Sequence, residues 1–178
     1  MADTITGKID RKYMGHFLDA AFTATPTALT GASWYRLGKD LEEFNVELNP
    51  DIEQGQNILG SNYFRHNGYE VSGDAEPYYA EVGDPLFAKL QEIVDTLAQG
   101  SQLRTMAAEV HLWEAGSATG TYKAYVQECY VVPSSYGGDT SGYQIPFTVH
   151  YTGEKLLADY TPASGQTPAS IALVTPST

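Results

Sequence analysis

Apolar and polar residues alternate along several segments of the chain, and this pattern restricts the fold more than any other feature. The alternation places Phe44, Val46 and Leu48 on one face, and it recurs in residues 106–112 and 143–151. Because successive side chains of a strand point to opposite faces, a period of two predicts strands with one buried face. Seven or eight strands are predicted, the others at about residues 13–18, 34–37, 69–75, 121–132 and 155–160.

Only the segment GDPLFAKLQEIVDTLAQG has the periodicity of an amphipathic helix. Asp84 suits the N-cap, Pro85 suits the first helical position, and Gly100 supplies a stop. We therefore expect a mainly β fold: an antiparallel sandwich or barrel of two packed sheets with one flanking α-helix at about residues 84–98. The apolar stripe that would pack on the sheet consists of Leu86, Leu90, Ile93, Val94 and Leu97.

Two segments near the ends are small, polar and uncharged, namely residues 20–33 and 161–178. Such segments have little apolar surface with which to order themselves, so we expect flexible arms, or arms ordered only by a partner. The predicted organisation is a single domain over residues 1–160, including an N-terminal arm, followed by a flexible C-terminal arm over residues 161–178.

The connection between the strands near Leu48 and Gly68 is unusually long. Connections in compact domains usually have about 2 to 6 residues, and longer ones are often functional. Asn67 and Gly68 form a turn signal before the next strand. Apolar residues exposed on a long loop indicate a surface for a partner. This loop carries Ile52, Ile58, Leu59, Tyr63 and Phe64.

Charge and cysteine content exclude several classes of function. The net charge of −12 argues against a protein that binds nucleic acid by neutralising phosphates. Cys129 is the only cysteine, so neither an internal disulfide nor a thiolate cluster can form, and we expect a buried structural thiol. No apolar run suits a signal peptide or a membrane span, so a soluble protein made in a cytoplasm is expected, without membrane insertion.

The sequence offers little evidence for catalysis. On a regular strand Glu109 and His111 share a face while Glu114 points away, and the four histidines are scattered singly. A glycosidase would need two carboxylates at a fixed separation across a cleft, and an acidic chain offers such pairs by chance. We therefore expect no enzyme, no metal and no cofactor. The pairs considered were Glu42 with Glu43 and Glu70 with Asp74.

The glycine-rich stretch SSYGGDTSGYQIPF, residues 134–147, has the composition of a phosphate-binding loop but not its chemistry. A P-loop needs a lysine and a following helix, whereas this stretch has no lysine and continues as a strand pattern. Asp139 would also repel a phosphate. The stretch is instead typical of a hairpin turn, and Pro146 predicts a bulge or an edge position in the strand that follows.

Three blocks in order resemble the major tail tube proteins of tailed bacteriophages, in the form common in phages of Gram-positive bacteria. They are EEFNVELNPDIEQGQNILG, GYEVSGDAEPYYAEVGDPLFAKLQEIVD and SYGGDTSGYQIPFTVHYTGEK. The resemblance covers roughly residues 33–160. It implies the tail tube fold, in which six subunits form a ring by joining their inner sheets into a continuous β-barrel. Such rings stack into a hollow tube through which the genome passes.

The resemblance also implies roles for particular residues and a set of partners. It implies contact between stacked rings through the long loop, at Asp51, Ile52, Asn57, Ile58, Leu59, Tyr63 and Phe64. A negatively charged channel wall would repel DNA, which would pass without specific binding. The acids expected to face the lumen, with an outer position as the alternative, are Glu43, Glu47, Glu70 and Asp74.

The implied location is the virion tail, assembled in the host cytoplasm, and the implied partners are further copies of the chain with tape measure, tail terminator and distal tail proteins. Two other interpretations stay open at this point. One is the inner tube of a contractile tail or of a phage-derived bacteriocin, which has the same fold. The other is a carbohydrate-binding β-sandwich with a tyrosine platform, because the chain has 13 tyrosines.

Overall fold

The structure is a computed structural model that describes residues 6–39, 41, 43–164 and 169–174. Most of these residues lie in antiparallel strands, and one α-helix, α1 (Pro85–Thr96), accompanies them together with two short 3-10 turns. The strands are β1 (Met14–Asp19), β2 (Trp34–Leu37), β3 (Val46–Glu47), β4 (Pro50–Gln56), β5 (Asn62–Tyr69), β6 (Ser72–Ala75), β7 (Arg104–Ala115), β8 (Tyr122–Pro133), β9 (Gly137–Asp139), β10 (Gly142–Gln144), β11 (Phe147–Thr161) and β12 (Ser170–Leu173).

Eight of the strands form one sheet in the order β2-β1-β7-β8-β11-β6-β3, with β12 beside the second half of β11. The sheet curls into a half-barrel, which confirms the predicted mainly β antiparallel class with a flanking helix. One continuous curled sheet takes the place of two separate packed sheets. The pairs β4–β5 and β9–β10 are separate two-stranded ribbons.

The core lies on opposite faces of the sheet at its two ends. In β8, Ala124 and Val126 belong to one buried cluster, whereas Cys129 and Val131 belong to another. The pairing of β8 with β7 is regular over these residues, so the even and odd positions point to opposite faces. Helix α1 covers the face of Cys129, which is buried as predicted. In each half the opposite face carries less buried side chains, such as Arg104 in the half of Cys129 and Lys123 in the other half.

Helix α1 begins as the sequence predicts and ends earlier. The Asp84 carboxylate accepts hydrogen bonds from the backbone N–H groups of Leu86 at 2.8 Å and Phe87 at 3.4 Å, and Pro85 occupies the first turn. Leu97, in the left-handed region with φ of 49°, terminates the helix. The predicted stop at Gly100 is wrong, because Gly100 instead begins a 3-10 turn.

Residues 20–33, expected to be flexible, are held by the buried carboxylate of Asp19. Its two oxygens accept hydrogen bonds of 2.8 to 3.0 Å from four backbone N–H groups of this segment. The segment then packs Ala24 and Leu29 onto the sheet. The Asp19 carboxylate thus supplies the hydrogen-bond acceptors that these backbone N–H groups would find in a neighbouring strand or helix turn. The donors are Ala21, Thr23, Ala24 and Ser33.

The C-terminal segment also departs from the predicted arm. The expected domain end at residue 160 falls inside β11, and β12 extends the sheet by pairing residues 170–173 with residues 158–161. Ile171 is buried in the second cluster. Residues 165–168 and 175–178 of the predicted arm, like residues 1–5 of the predicted N-terminal arm, lie outside the described residues.

The strand predicted at residues 44–48 is reduced to the two residues of β3. Phe44 turns inward, whereas Leu48 is 53% exposed, so the two side chains do not share a face. The Phe44 ring lies over Gly73 of the neighbouring strand, where a Cβ atom would come within 2.9 Å of it. Because Gly73 has no side chain, the Phe44 ring can pack directly against its backbone at this end of the sheet.

The glycine-rich stretch forms the predicted hairpin turn. Strands β9 and β10 pair with each other, and the Asp139 carboxylate accepts a hydrogen bond of 2.7 Å from the N–H of Ser141 in the turn. Gly138 has a φ of 137°, and a Cβ atom there would meet the carbonyl oxygen of Gly142 at 2.0 Å. Pro146 lies between this ribbon and β11, so the single strand predicted over residues 143–151 is divided there, where a bulge or an edge position had been predicted.

Candidate functional site

The long connection predicted at residues 49–67 is a regular β-hairpin and not an irregular loop. Strand β4 pairs with β5 from Pro50 opposite Tyr69 to Gln56 opposite Asn62. Every residue from 50 to 69 is exposed except Gly55 and Gly68, which are partly exposed. The two strands contact each other, and neither packs extensively on another described element. The hairpin therefore projects from the sheet with both faces open.

The apolar residues assigned to ring stacking are on the surface of this hairpin. The side chains near its tip are the most exposed: Ile58 is 102% exposed and Leu59 is 85% exposed. Phe64 in β5 is 62% exposed. Leaving such side chains in water forgoes roughly 1.5 to 3 kcal/mol for each one that could be fully buried. Ile52 and Tyr63 are exposed to smaller extents, and Asp51 lies at the base.

The tip is shaped by Asn57. Its side-chain oxygen accepts hydrogen bonds of 3.0 Å from the N–H groups of Leu59 and Ser61, and Gly60 adopts a φ of 81°. These contacts fix a tight turn that presents Ile58 and Leu59 outward. Asn57 is thus a positioning residue for the apolar tip.

The turn signal at Asn67 and Gly68 marks a bulge and not a turn. Asp51 pairs with Gly68 and Ile52 pairs with His66, so Asn67 is the extra residue of β5. Gly68 has a φ of 146°, which suits glycine at such a bulge. The bulge increases the twist of the hairpin close to its base.

Three of the four acids expected to face a lumen come together. Glu43, Glu47 and Asp74 line one cleft of about 210 Å³ together with Glu76, a residue that the sequence reasoning missed. None of the four forms a salt bridge with a described residue. Glu70 does not line the cleft, since it lies at the base of the hairpin, where its backbone bonds to Asn49.

The acidic cleft continues into an uncovered polar face of the sheet. Partners opposite each other in antiparallel strands share a face, so the register defines a row of side chains across five strands. Asp74 lies on the same face, where its carboxylate accepts a hydrogen bond of 2.6 Å from the hydroxyl of Thr148. The row consists of Glu47, Ser72, His150, Tyr130 and Arg104.

A groove of opposite charge lies on the other side of residues 43–45. It has a volume of about 640 Å³ and is lined by four basic residues from separate segments, a juxtaposition that the sequence does not reveal. The guanidinium of Arg11 donates hydrogen bonds to the carbonyl oxygens of Met14 at 2.7 Å and Phe44 at 3.1 Å. The basic residues are Arg11, Lys12, Arg36 and Lys39.

His16 also lines this groove, and it is held neutral. Burial, followed by the positive charge of Arg11, lowers the pKa of His16 to about 4. Its ring packs edge-on against Phe44, with a centroid separation of 5.0 Å. The neutral imidazole thus lines the basic groove and also contacts the buried Phe44 ring.

Glu109, His111 and Glu114 are closer together than the sequence predicts. His111 Nε2 lies 2.8 Å from a Glu109 oxygen, and its Nδ1 lies 3.9 Å from Glu114. The register of β7 shifts between His111 and Ala115, and this irregularity brings Glu114 back to the face from which we expected it to point away. Burial raises the pKa of Glu109, but hydrogen bonds from His111 and Lys155 outweigh burial and lower it.

These groups form a charged network. Lys155 bonds to Glu109 at 3.0 Å, and Lys123 bonds to Glu114 at 2.9 Å. Both ends of the network are therefore neutralised by lysine. Among the residues that the structure describes, no cluster of three or more histidines, cysteines and carboxylates could hold a metal ion.

In the described part of the chain, no helix has the length and apolar character needed to cross a membrane. Compared with known proteins, the sequence matches no protein-family model and no curated protein.

Proposed function

We propose that the chain is a structural subunit that assembles with copies of itself into rings, six to a ring, which stack into a hollow tube like the tail tube of a bacteriophage. The observation that carries this proposal is the hairpin β4–β5. It extends from the sheet with apolar side chains on its tip and without a covering element among the described residues. A two-stranded hairpin in isolation is at best marginally stable in water, so a neighbouring subunit would supply what it lacks.

The ends of the main sheet offer a way to form a ring. Strands β2 and β3 are the terminal strands, and no described strand lies beyond either of them. Unpaired edges are templates for pairing with another chain. Because the two edges differ, their association is head-to-tail, and such an interface closes into a ring when the rotation permits. The curl of the sheet supports closure around a central hole.

The acidic cleft and the polar face into which it continues form the candidate channel wall. Glu47 and Asp74 are exposed on it, next to Glu43 and Glu76. In a channel, such carboxylates repel the phosphates of DNA, which would then slide without specific binding. This role also accounts for the strongly acidic composition of the chain.

In this proposal the subunit belongs to a virion tail assembled in the host cytoplasm, and tape measure, tail terminator and distal tail proteins would cap or fill the tube. The inner tube of a contractile tail or of a phage-derived bacteriocin would use the same surfaces. Both versions require self-assembly, so one experiment tests the shared part of the proposal.

The experiment is electron microscopy of the purified chain over a range of concentrations, with mass measurements by light scattering. Rings or tubes with a central hole are the expected result. A monomer at every concentration would contradict the proposal. Replacing the tip, Ile58→Ser with Leu59→Ser, should prevent stacking while rings still form. The matched control is Val82→Ser, because Val82 is also apolar and 95% exposed but lies outside the hairpin.

A further inference from the structure

A second apolar feature of the chain is a groove between residues 27–34 and β12. Its volume is about 520 Å³. Unlike the basic groove and the acidic cleft, it contains no ionisable side chain among its described lining residues. Its apolar walls come from Leu29, Trp34, Ile171 and Leu173, with Ala28, Ala32 and Ala172 between them.

One side of the groove is an open strand edge. Strand β12 pairs with β11, and no described strand lies on its other side. Ala172 is exposed, whereas Ile171 is buried against the second core cluster. The groove thus combines an apolar wall with a strand edge that no described strand covers.

The hairpin tip has the matching chemistry. Residues 56–62, QNILGSN, carry no charge in a chain whose net charge is −12. Ile58 and Leu59 stand out from the tip, and the backbone around them is already turned by Asn57. Docking these side chains against the basic groove or the acidic cleft would remove water from charges without pairing them, which is costly. The uncharged groove imposes no such cost.

We infer that the hairpin tip of one copy docks in the groove between residues 27–34 and β12 of a second copy, with Ile58 and Leu59 against its apolar wall. The inference rests on the proposed function and names the surface on which stacking occurs. Because the tip and the groove are different surfaces of one chain, a docked pair still offers one free groove, on the copy that gives its tip, and one free tip, on the copy that gives its groove. The contact therefore propagates from copy to copy.

Cysteine cross-linking tests this contact directly, because the chain has a favourable background. Cys129 is the only native cysteine, and it is fully buried. Burial also raises the pKa of its thiol, which keeps it unreactive. The double variant Leu59→Cys with Ala172→Cys, assembled and then oxidised, should give a ladder of disulfide-linked chains on non-reducing gels. Leu59→Cys alone should give no product larger than a dimer.

The matched control pairs Leu59→Cys with Val82→Cys, which is exposed but lies outside the groove. A ladder from the control equal to that from the test variant would overturn the inference. So would tubes that form normally without a ladder from the test variant, an outcome that leaves the proposed function intact. An internal disulfide in a monomer would place the tip on its own groove and overturn the inference as well. Failure of the unmodified chain to assemble would overturn both.

A second variant tests the groove without cross-linking. Ala172→Lys places a charge beside the apolar wall at an exposed position, so the fold should be retained while stacking is lost. Ala172→Ser is the control and should stack normally. Tubes of normal length from Ala172→Lys would contradict the inference.

Discussion

The hairpin β4–β5 and the central strands β7 and β8 have the same backbone pairing but opposite surroundings. Both pairs are antiparallel, yet Met106, Val110 and Val126 of the central pair are fully buried, whereas the hairpin is exposed on both faces. Backbone hydrogen bonds are therefore common to the two regions and do not distinguish them. Covered apolar surface stabilises the central strands, whereas the hairpin has apolar surface that no described element covers.

The largest expected effect is the loss of a covered side chain. Phe147 begins β11, is 1% exposed, and packs edge-on against Tyr78 at a centroid distance of 5.5 Å. Phe147→Ala should lower the free energy of unfolding by about 3 to 5 kcal/mol, because it leaves a cavity in the core. Chemical denaturation followed by circular dichroism measures this. A decrease in the free energy of unfolding of less than about 1 kcal/mol would show that neighbouring side chains move to fill the cavity.

The next effect concerns a segment that is covered only because of one carboxylate. Asp19→Ala removes the acceptor of four backbone hydrogen bonds and should cost about 3 kcal/mol, since one buried and three partly buried bonds lose their acceptor. Hydrogen exchange should then speed up in residues 20–33. Asp19→Asn keeps one acceptor oxygen and should cost less. Equal losses in both variants would mean that charge, and not geometry, holds the segment.

The covered part of the molecule was the easier part to predict from sequence. The alternation over residues 106–112 reflects the burial of Met106, Ala108 and Val110 in one cluster, although Ala107 is buried on the other face. The Asp84-Pro85 start of α1 reflects local hydrogen bonding, so neighbouring residues suffice to predict both features. The organisation of residues 20–33 was missed because its partner, the Asp19 carboxylate, acts through the backbone. No side-chain pattern records such bonds.

The candidate site was predicted less completely. The exposed apolar residues of 52–64 were recognised, but their strands show no alternation because neither face is buried, so a hairpin was read as a loop. Three of the acids that were expected to face a lumen line the acidic cleft, whereas Glu76 of this cleft was not named from the sequence. The basic groove was missed entirely, since Arg11, Arg36 and Lys39 meet only when β1 pairs with β2. Contacts between distant segments have no local signature.

A third prediction concerns the pH dependence of folding stability, which depends on the buried side chain of His16. The pKa of His16 is about 4 in the folded chain, whereas the usual pKa of histidine, which we take for the unfolded chain, is 6.5. Between pH 4 and pH 6.5 the unfolded chain therefore binds more protons than the folded chain. Stability should therefore be full above pH 6.5 and fall as the pH drops, by about 2 kcal/mol at pH 5. His16→Gln cannot take up this proton. Its free energy of unfolding should change less between pH 8 and pH 5; an unchanged slope would remove His16 as the cause.

The smallest effect on stability is expected in the hairpin, and it completes the comparison with Phe147. Phe64 is the same residue type but is 62% exposed, so Phe64→Ala removes little buried surface from the monomer. The free energy of unfolding should change by less than about 0.5 kcal/mol, as for other exposed positions. Light scattering and microscopy should nevertheless show a loss of assembled tubes. The two phenylalanines then separate the two regions, because Phe147 affects folding and Phe64 affects association.

A Phe64→Ala chain that is as destabilised as Phe147→Ala would mean that the hairpin is covered within the monomer in solution. If a stable Phe64→Ala chain forms tubes normally, the side chain of Phe64 is not needed for stacking, and the stacking contact is limited to the tip residues Ile58 and Leu59.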